Sequence, residues 1–312
     1  MIEGYTKTAM RVTLFGLMVF ASTLFSQQEA AASAPLGPYL GQSSPGVTPT
    51  QFGSDYLPTD PLFHCSPTFS PDGNEVFWSI IFREQGRGQI MCMMATEDGW
   101  TKPVIAPFSG TDSDVNPCFS PDGSRVYFAS NRPRGKGRAD IWYVSRTDQG
   151  WGEAVNLGIP PNSESSEGQP SVAADGSLVF ISAMDSVEWK RGLYLCKKKD
   201  TQYAKRIALP SIINSSGRDS YPFIAPDQSY LLFCSGRPGC NSIETDLYVS
   251  FRTEKGEWGM PVKAGPEINN GKTVSFPRVT YDGKYLFFRR FVDGTDAFFW
   301  VEARVLEDLR PS

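Results

Sequence analysis

The stretch Pro117-Cys118-Phe119-Ser120-Pro121-Asp122-Gly123-Ser124-Arg125-Val126-Tyr127-Phe128-Ala129-Ser130, continued by Ile141-Trp142-Tyr143-Val144-Ser145-Arg146, decides the fold. It reads as a short strand, a tight Pro-Asp-Gly turn, a second alternating strand, a Gly/Arg-rich loop and a third strand. The unit recurs. Its turn aspartate returns at Asp72, Asp122, Asp175, Asp227 and Asp282, with spacings of 50, 53, 52 and 55 residues. A period of that size with several strands per repeat predicts a radial array of β-blades.

Fourth strands follow at Trp100-Thr101-Lys102-Pro103, Trp151 to Gly158, a weaker Tyr203 to Leu209, and Trp258 to Gly265. The last repeat has three strands, at Phe276 to Val279, Tyr285 to Arg289 and Ala297 to Val301, and then the chain nearly ends. Pro49-Thr50-Gln51-Phe52-Gly53 matches the second half of the Trp258 pattern, from Pro261 through Gly265. The expected fold is therefore an all-β propeller of five four-stranded antiparallel blades, closed by an N-terminal strand so that no edge stays open. Six blades are the alternative if residues 35–60 build more.

Upstream, Lys7 and Arg11 precede an apolar run from Val12 to Phe25 that ends in small and polar residues. That is the layout of a secretory signal peptide over residues 1–32, with cleavage after Ser26 or Ala32; the run is shorter than the ~20 apolar residues of a spanning helix. Residues 33–312 then form one extracytoplasmic domain, periplasmic or secreted, with no membrane span after cleavage. With 30 basic and 34 acidic residues the net charge is −4, so no basic field exists to attract nucleic acid.

The six cysteines form no Cys-x-x-Cys pair, which removes the usual zinc and thioredoxin readings. They read as small buried residues, with Cys234 and Cys240 the one pair worth testing as a disulfide in an exported chain. The single histidine, His64, excludes a multi-histidine metal site, and a Ser-His-Asp hydrolase would also need a Gly-x-Ser-x-Gly elbow that the sequence lacks. Neither a metal nor an organic cofactor is expected; an all-oxygen Ca²⁺ site at Asp112, Asp114 and Glu167 has no loop motif behind it.

The repeated Phe-Ser-Pro-Asp-Gly before a strand, Arg132-Pro133 after it and Asp140-Ile141-Trp142-Tyr143 resemble the TolB-like family of WD40-like "Pro-Asp" propeller repeats, over five repeats from His64 to Val301. The resemblance implies a propeller found in periplasmic scaffolds and protease-associated modules. It departs from the pattern at Ala173-Ala174-Asp175-Gly176, Ala225-Pro226-Asp227-Gln228 and Thr280-Tyr281-Asp282-Gly283, none of which removes the Asp. The turn carboxylates have a structural job, accepting local backbone N–H bonds.

Function is expected at the opposite ends of the blades, where longer loops lie on a rigid scaffold. Three residues before the proline of each first strand stand His64, Asp114, Glu167, Asp219 and Val274, and Arg132 and Arg237 enter from the loops. His64, Asp114, Glu167, Asp219, Arg132 and Arg237 are thus the candidate ring of a ligand-binding mouth. The expected function is a monomeric binding or interaction module for a polar ligand, a glycan or a protein partner, without catalytic machinery. The alternative is a glycan-active enzyme, a glycoside hydrolase or sialidase-like propeller, using Asp114, Glu167 and Asp219. The two differ in whether those carboxylates face an open cleft or are already paired with arginine.

Overall fold

The computed structural model describes residues 35–57, 63–65, 67–82, 86–183, 191–237, 244–270, 273–292 and 294–311, without the side chains of Phe63, His64 and Phe82. The expected signal segment, Arg83 and Cys240 lie outside the described residues.

Five blades follow one another along the chain. Blade 2 is the plainest: Asp114–Phe119, Arg125–Ser130 and Asp140–Thr147 pair antiparallel, and Val155–Asn156 adds the outer strand. Blade 3 repeats this with Gly168–Val172, Leu178–Ala183, Arg191–Cys196 and Ile207–Ala208. Blade 4 does so with Asp219–Ile224, Tyr230–Ser235, Asp246–Phe251 and Val262–Lys263. In blade 1 the inner strand is split into Phe63–His64 and Thr68–Phe69, both against Glu75–Phe82, and Arg87–Thr96 and Val104–Ile105 complete it. Blade 5 consists of Val274–Val279, Tyr285–Val292 and Thr295–Glu302, and its outer strand is Thr50–Gln51, with Thr50 opposite Trp300 and Gln51 opposite Phe299. The N-terminal segment closes the ring as its likeness to the Pro261–Gly265 segment predicts.

The second strand of each blade explains why sheets stack radially. A strand's side chains alternate between its two faces, and here both faces are apolar. Val76 and Trp78 point into a cluster shared with blade 5, whereas Phe77 joins blade 2. Val126 and Phe128 face blade 1 and Tyr127 faces blade 3. Leu178 and Phe180 face blade 2, Val179 and Ile181 blade 4. Leu231 and Phe233 face blade 3, Leu232 and Cys234 blade 5. Leu286 and Phe288 return to blade 4, and Phe287 meets Phe69 and Trp78 of blade 1. Each blade is thus a two-sided core layer, and the fifth interface brings the chain back to the first.

The closing interface has an extra clamp. Phe52 is buried and meets Phe287 and Trp300 edge-on at 4.9 and 5.0 Å, and its N–H donates to Phe298 O at 2.8 Å. Tyr39 packs edge-on against Phe69 of blade 1 and Tyr285 of blade 5, and Trp100 Nε1 donates to Gly37 O at 2.7 Å. At the other end of the chain a 3₁₀ turn, Ala303–Leu309, lays Val305, Leu306 and Leu309 on the cluster between blades 4 and 5. Cys65, Cys92, Cys118, Cys196 and Cys234 are buried free thiols, as small core residues are expected to be.

At the turns, the five aspartates do what local chemistry predicts. Backbone N–H groups two residues on, from Asn74, Ser124, Ser177, Ser229 and Lys284, donate to Asp72, Asp122, Asp175, Asp227 and Asp282 at 2.8–3.1 Å. The residue between takes positive φ, at Gly73, Gly123, Gly176 and Gly283, and at Gln228 in the fourth repeat. Ser70, Ser120 and Thr280 add a hydroxyl to the same carboxylates.

Candidate ligand-binding mouth

The acid and arginine positions picked out by sequence do meet, but pairwise and inside single blades. Asp114 is fully buried; it accepts from Arg132 Nη2 at 2.7 Å and from Ser109 Oγ at 2.9 Å. The same guanidinium donates to Phe108 O and Ser130 Oγ and lies over the rings of Phe128 and Trp142. Asp219 repeats the arrangement with Arg237 at 3.4 Å, Ser235 Oγ at 2.5 Å and the Ser215 N–H at 2.7 Å. Arg237 in turn donates to Ile213 O and lies over Phe233 and Tyr248.

Glu167 of blade 3 finds its cation elsewhere. Arg206 donates to it at 2.8 Å and lies over Tyr194, and Ser163 and Ser182 hydroxyls complete the carboxylate's shell. Arg206 precedes the outer strand rather than following the second one, so a register based on Arg132 and Arg237 passes over it. In blade 5 the acid is replaced by the buried Val274, and Arg290 directly opposite donates to Glu267 O and Ile268 O. Arg132, Arg237 and Arg290 share one role, holding by backbone carbonyls the turn that leads into the inner strand of blades 2, 4 and 5. Of His64, the described backbone pairs with Ile80 at the start of blade 1.

A second repeat, unnoticed in the sequence, governs the axis. Asn116, Gln169, Tyr221 and Phe276 all have φ between 52 and 57°, each just before a proline, and each inner strand shifts register there. The bulge breaks the pairing and leaves inner-edge N–H groups facing the preceding blade, whose side chains satisfy them. Ser79 Oγ takes the Asn116 N–H at 3.2 Å, Gln169 Oε1 the Tyr221 N–H at 2.7 Å, and Ser171 Oγ the Ile224 N–H at 2.9 Å.

On the face opposite the Pro-Asp-Gly turns the bulges open into a cavity of about 310 Å³. Tyr221 and Phe276, with ring centroids 4.1 Å apart, form its aromatic wall. Arg218 and Arg289 are its cations and Ser79, Asn116 and Thr245 supply polar groups; none of its described lining residues is a carboxylate. Arg289 is already engaged, donating to Ser275 Oγ at 2.8 Å and Asp296 at 2.9 Å. Arg218 is exposed. Ile81 and Phe291, equivalent residues on the extended hairpins of blades 1 and 5, are exposed apolar groups on the same side. Toward the turns the axis is closed by Tyr281, whose hydroxyl reaches from blade 5 to the Phe119 carbonyl of blade 2.

Such a cavity can hold a small polar group by guanidinium and hydroxyl donors while a flat surface stacks on the aromatic pair. Its described lining residues include no carboxylate pair for acid–base work. Among the described residues no cluster of three or more His, Cys, Asp or Glu side chains is placed for a metal ion, and no helix is long and apolar enough to cross a membrane.

No protein-family model and no curated protein matches the chain. Solved structures do resemble it in fold. A TolB-type protein of Agrobacterium tumefaciens is 18% identical, with a TM-score of 0.49 over 75% of this chain and 72% of the other. The β-propeller domain of the trilobed protease of Pyrococcus furiosus is 12% identical, with a TM-score of 0.43 over 77% and 82%. A puromycin-hydrolysing peptidase of Mycobacterium tuberculosis is 15% identical with a TM-score of 0.42; the match covers 82% of this chain but 38% of the peptidase.

Proposed function

We propose that this propeller is an exported, monomeric binding module whose central mouth takes an anionic or polar group of a glycan or protein partner. One observation carries the reading. The acids that could have worked as a catalytic pair are each tied to an arginine in their own blade, while the described lining of the cavity offers guanidinium, hydroxyl and aromatic surface without a carboxylate.

A glycoside hydrolase needs two carboxyl groups about 5–9.5 Å apart with the scissile bond between them. Asp114, Glu167 and Asp219 are buried and their oxygens already accept two or more hydrogen bonds each, which opposes that alternative. Export is supported by the Lys7, Arg11 and Val12–Phe25 pattern; terminal sequencing of protein from the producing cell should find a start near Gln27 or Ser33, and recovery of Met1 would remove this part of the proposal.

The test is a thermal-shift screen of acidic and neutral oligosaccharides and short peptides. Ligands bearing a carboxylate or sulfate should raise the melting temperature, and the rise should vanish in Arg218→Ala and weaken in Tyr221→Ala. Equal response of both variants to every hit would place binding elsewhere.

A further inference from the structure

Arg278 stands on the inner strand of blade 5, four residues before the turn aspartate, where the other blades carry Thr68, Cys118, Ser171 and Phe223. Its side chain belongs to the axis, between the mouth and the Tyr281 closure, and the residue is only 8% exposed. A guanidinium cannot shed its proton at accessible pH. Its charge is therefore carried into the middle of the molecule, where desolvation opposes it unless something compensates it.

The groups around it supply no full opposite charge. Among the described residues it makes no ion pair, and its ionisable neighbours are the thiol of Cys118, in side-chain hydrogen-bond contact with it, the thiol of Cys65 and the phenol of Tyr281, types that are ordinarily uncharged at neutral pH. Other arginines of this molecule differ: the half-buried Arg132, Arg206, Arg237 and Arg289 each have a carboxylate, and the buried Arg290 has two backbone carbonyls.

Beside Arg278 lies a cavity of about 10 Å³, walled by Phe69, Phe223 and Phe287 and bordered by Thr68, Thr280 and Tyr281. That is room for about one water-sized particle. Tyr281 uses its hydroxyl hydrogen on Phe119 O and Thr280 on Asp282. Thr68 Oγ1 only accepts, from the Phe119 N–H at 3.4 Å, so its own hydrogen remains to donate. The polar inventory of the cavity is thus donors, a guanidinium and a hydroxyl, in apolar walls.

We propose that the axis of the propeller binds one halide-sized inorganic anion, chloride in the first instance, held by the Arg278 guanidinium and the Thr68 hydroxyl. The ion neutralises the buried charge where five inner strands converge, and so couples the stability of the ring to chloride. The site is separate from the mouth and stands or falls without it.

The experiment melts the full chain at constant ionic strength while sodium chloride or bromide replaces sodium gluconate. A bound anion raises the melting temperature with the logarithm of halide concentration, by roughly 3 °C per tenfold once the site saturates. Arg278→Met should lose that dependence, Thr68→Val should weaken it, and Arg218→Ala in the mouth should keep it. Crystals soaked in bromide should show an anomalous peak beside the Arg278 guanidinium. Identical melting of the unaltered protein in halide and gluconate would overturn the proposal even if Arg278→Met did not fold, and so would an undiminished halide response in Arg278→Met.

Discussion

At Asp114 and Arg132 the same residues carry a functional and a structural reading, and burial decides between them. Removing one partner of a buried pair leaves the other charge uncompensated, which costs about 3–5 kcal/mol. Arg132→Ala and Arg237→Ala should therefore unfold at clearly lower denaturant concentration, where exposed binding arginines would shift stability by only about 0.5 kcal/mol. At the turns, Gly123 has φ of 70° and a Cβ there would meet Pro71 Cδ at 3.1 Å. Gly123→Ala should cost about 1–2 kcal/mol by left-handed strain, measurable by denaturant melting, and more than Gly283→Ala, where the added Cβ meets open space. For Asp72, Asp122, Asp227 and Asp282, partial burial pushes the carboxyl pKa up, but hydrogen bonds from neighbouring hydroxyls and N–H groups outweigh it and hold it below the usual value. A depressed folded pKa means stability that is complete above the unfolded value, about 3.9, and is lost as pH falls through the folded one. Melting temperature should thus fall below about pH 4, and the quadruple Asp→Asn variant should show a shallower acid limb at the cost of a lower plateau.

Among elements, the short strand Thr50–Gln51 has the largest effect for its size. Its two residues are exposed, yet they cover the edge of Thr295–Glu302 and deliver Phe52 into the cluster between blades 5 and 1. Phe52→Ala should cost about 3–5 kcal/mol, and deleting residues through Gly53 should bare a strand edge and promote self-association, seen by light scattering. A deletion variant as stable and monodisperse as the full chain would refute the closure. This strand was legible because Pro49–Gly53 imitates Pro261–Gly265 in sequence. The fifth-blade arithmetic was legible because a Pro-Asp-Gly turn is a local device whose chemistry needs no tertiary context. The inner-strand bulges were not, although Pro117, Pro170, Pro222 and Pro277 repeat in step with them. A proline inside a short strand signals a missing donor, but which neighbour's side chain serves the edge depends on packing between blades. Arg206 escaped for a related reason: a guanidinium on a long stem reaches Glu167 from a different strand, and spacing counts cannot follow it.

For the whole molecule, the ring is two-sided core all round, with the axis closed by Tyr281 on the turn side and open as the Tyr221–Phe276 cavity on the other. On the proposed reading rigidity and binding are separated: paired charges fix the blades, and the exposed Arg218 and the Tyr221–Phe276 pair stand at the mouth. The sequence points to the face opposite the turns through its acids, which are conspicuous in a repeat and which the structure finds buried beside arginines, whereas Tyr221, Phe276 and Arg218 come together only when the inner strands converge. The most direct measurement sets Arg218→Ala beside Arg132→Ala in one assay of melting temperature and binding to acidic oligosaccharides and peptides. The account predicts that Arg218→Ala melts like the unaltered protein and loses the ligand, whereas Arg132→Ala melts several degrees lower. Unchanged ligand binding in Arg218→Ala, together with a stable Arg132→Ala that no longer binds, would contradict it.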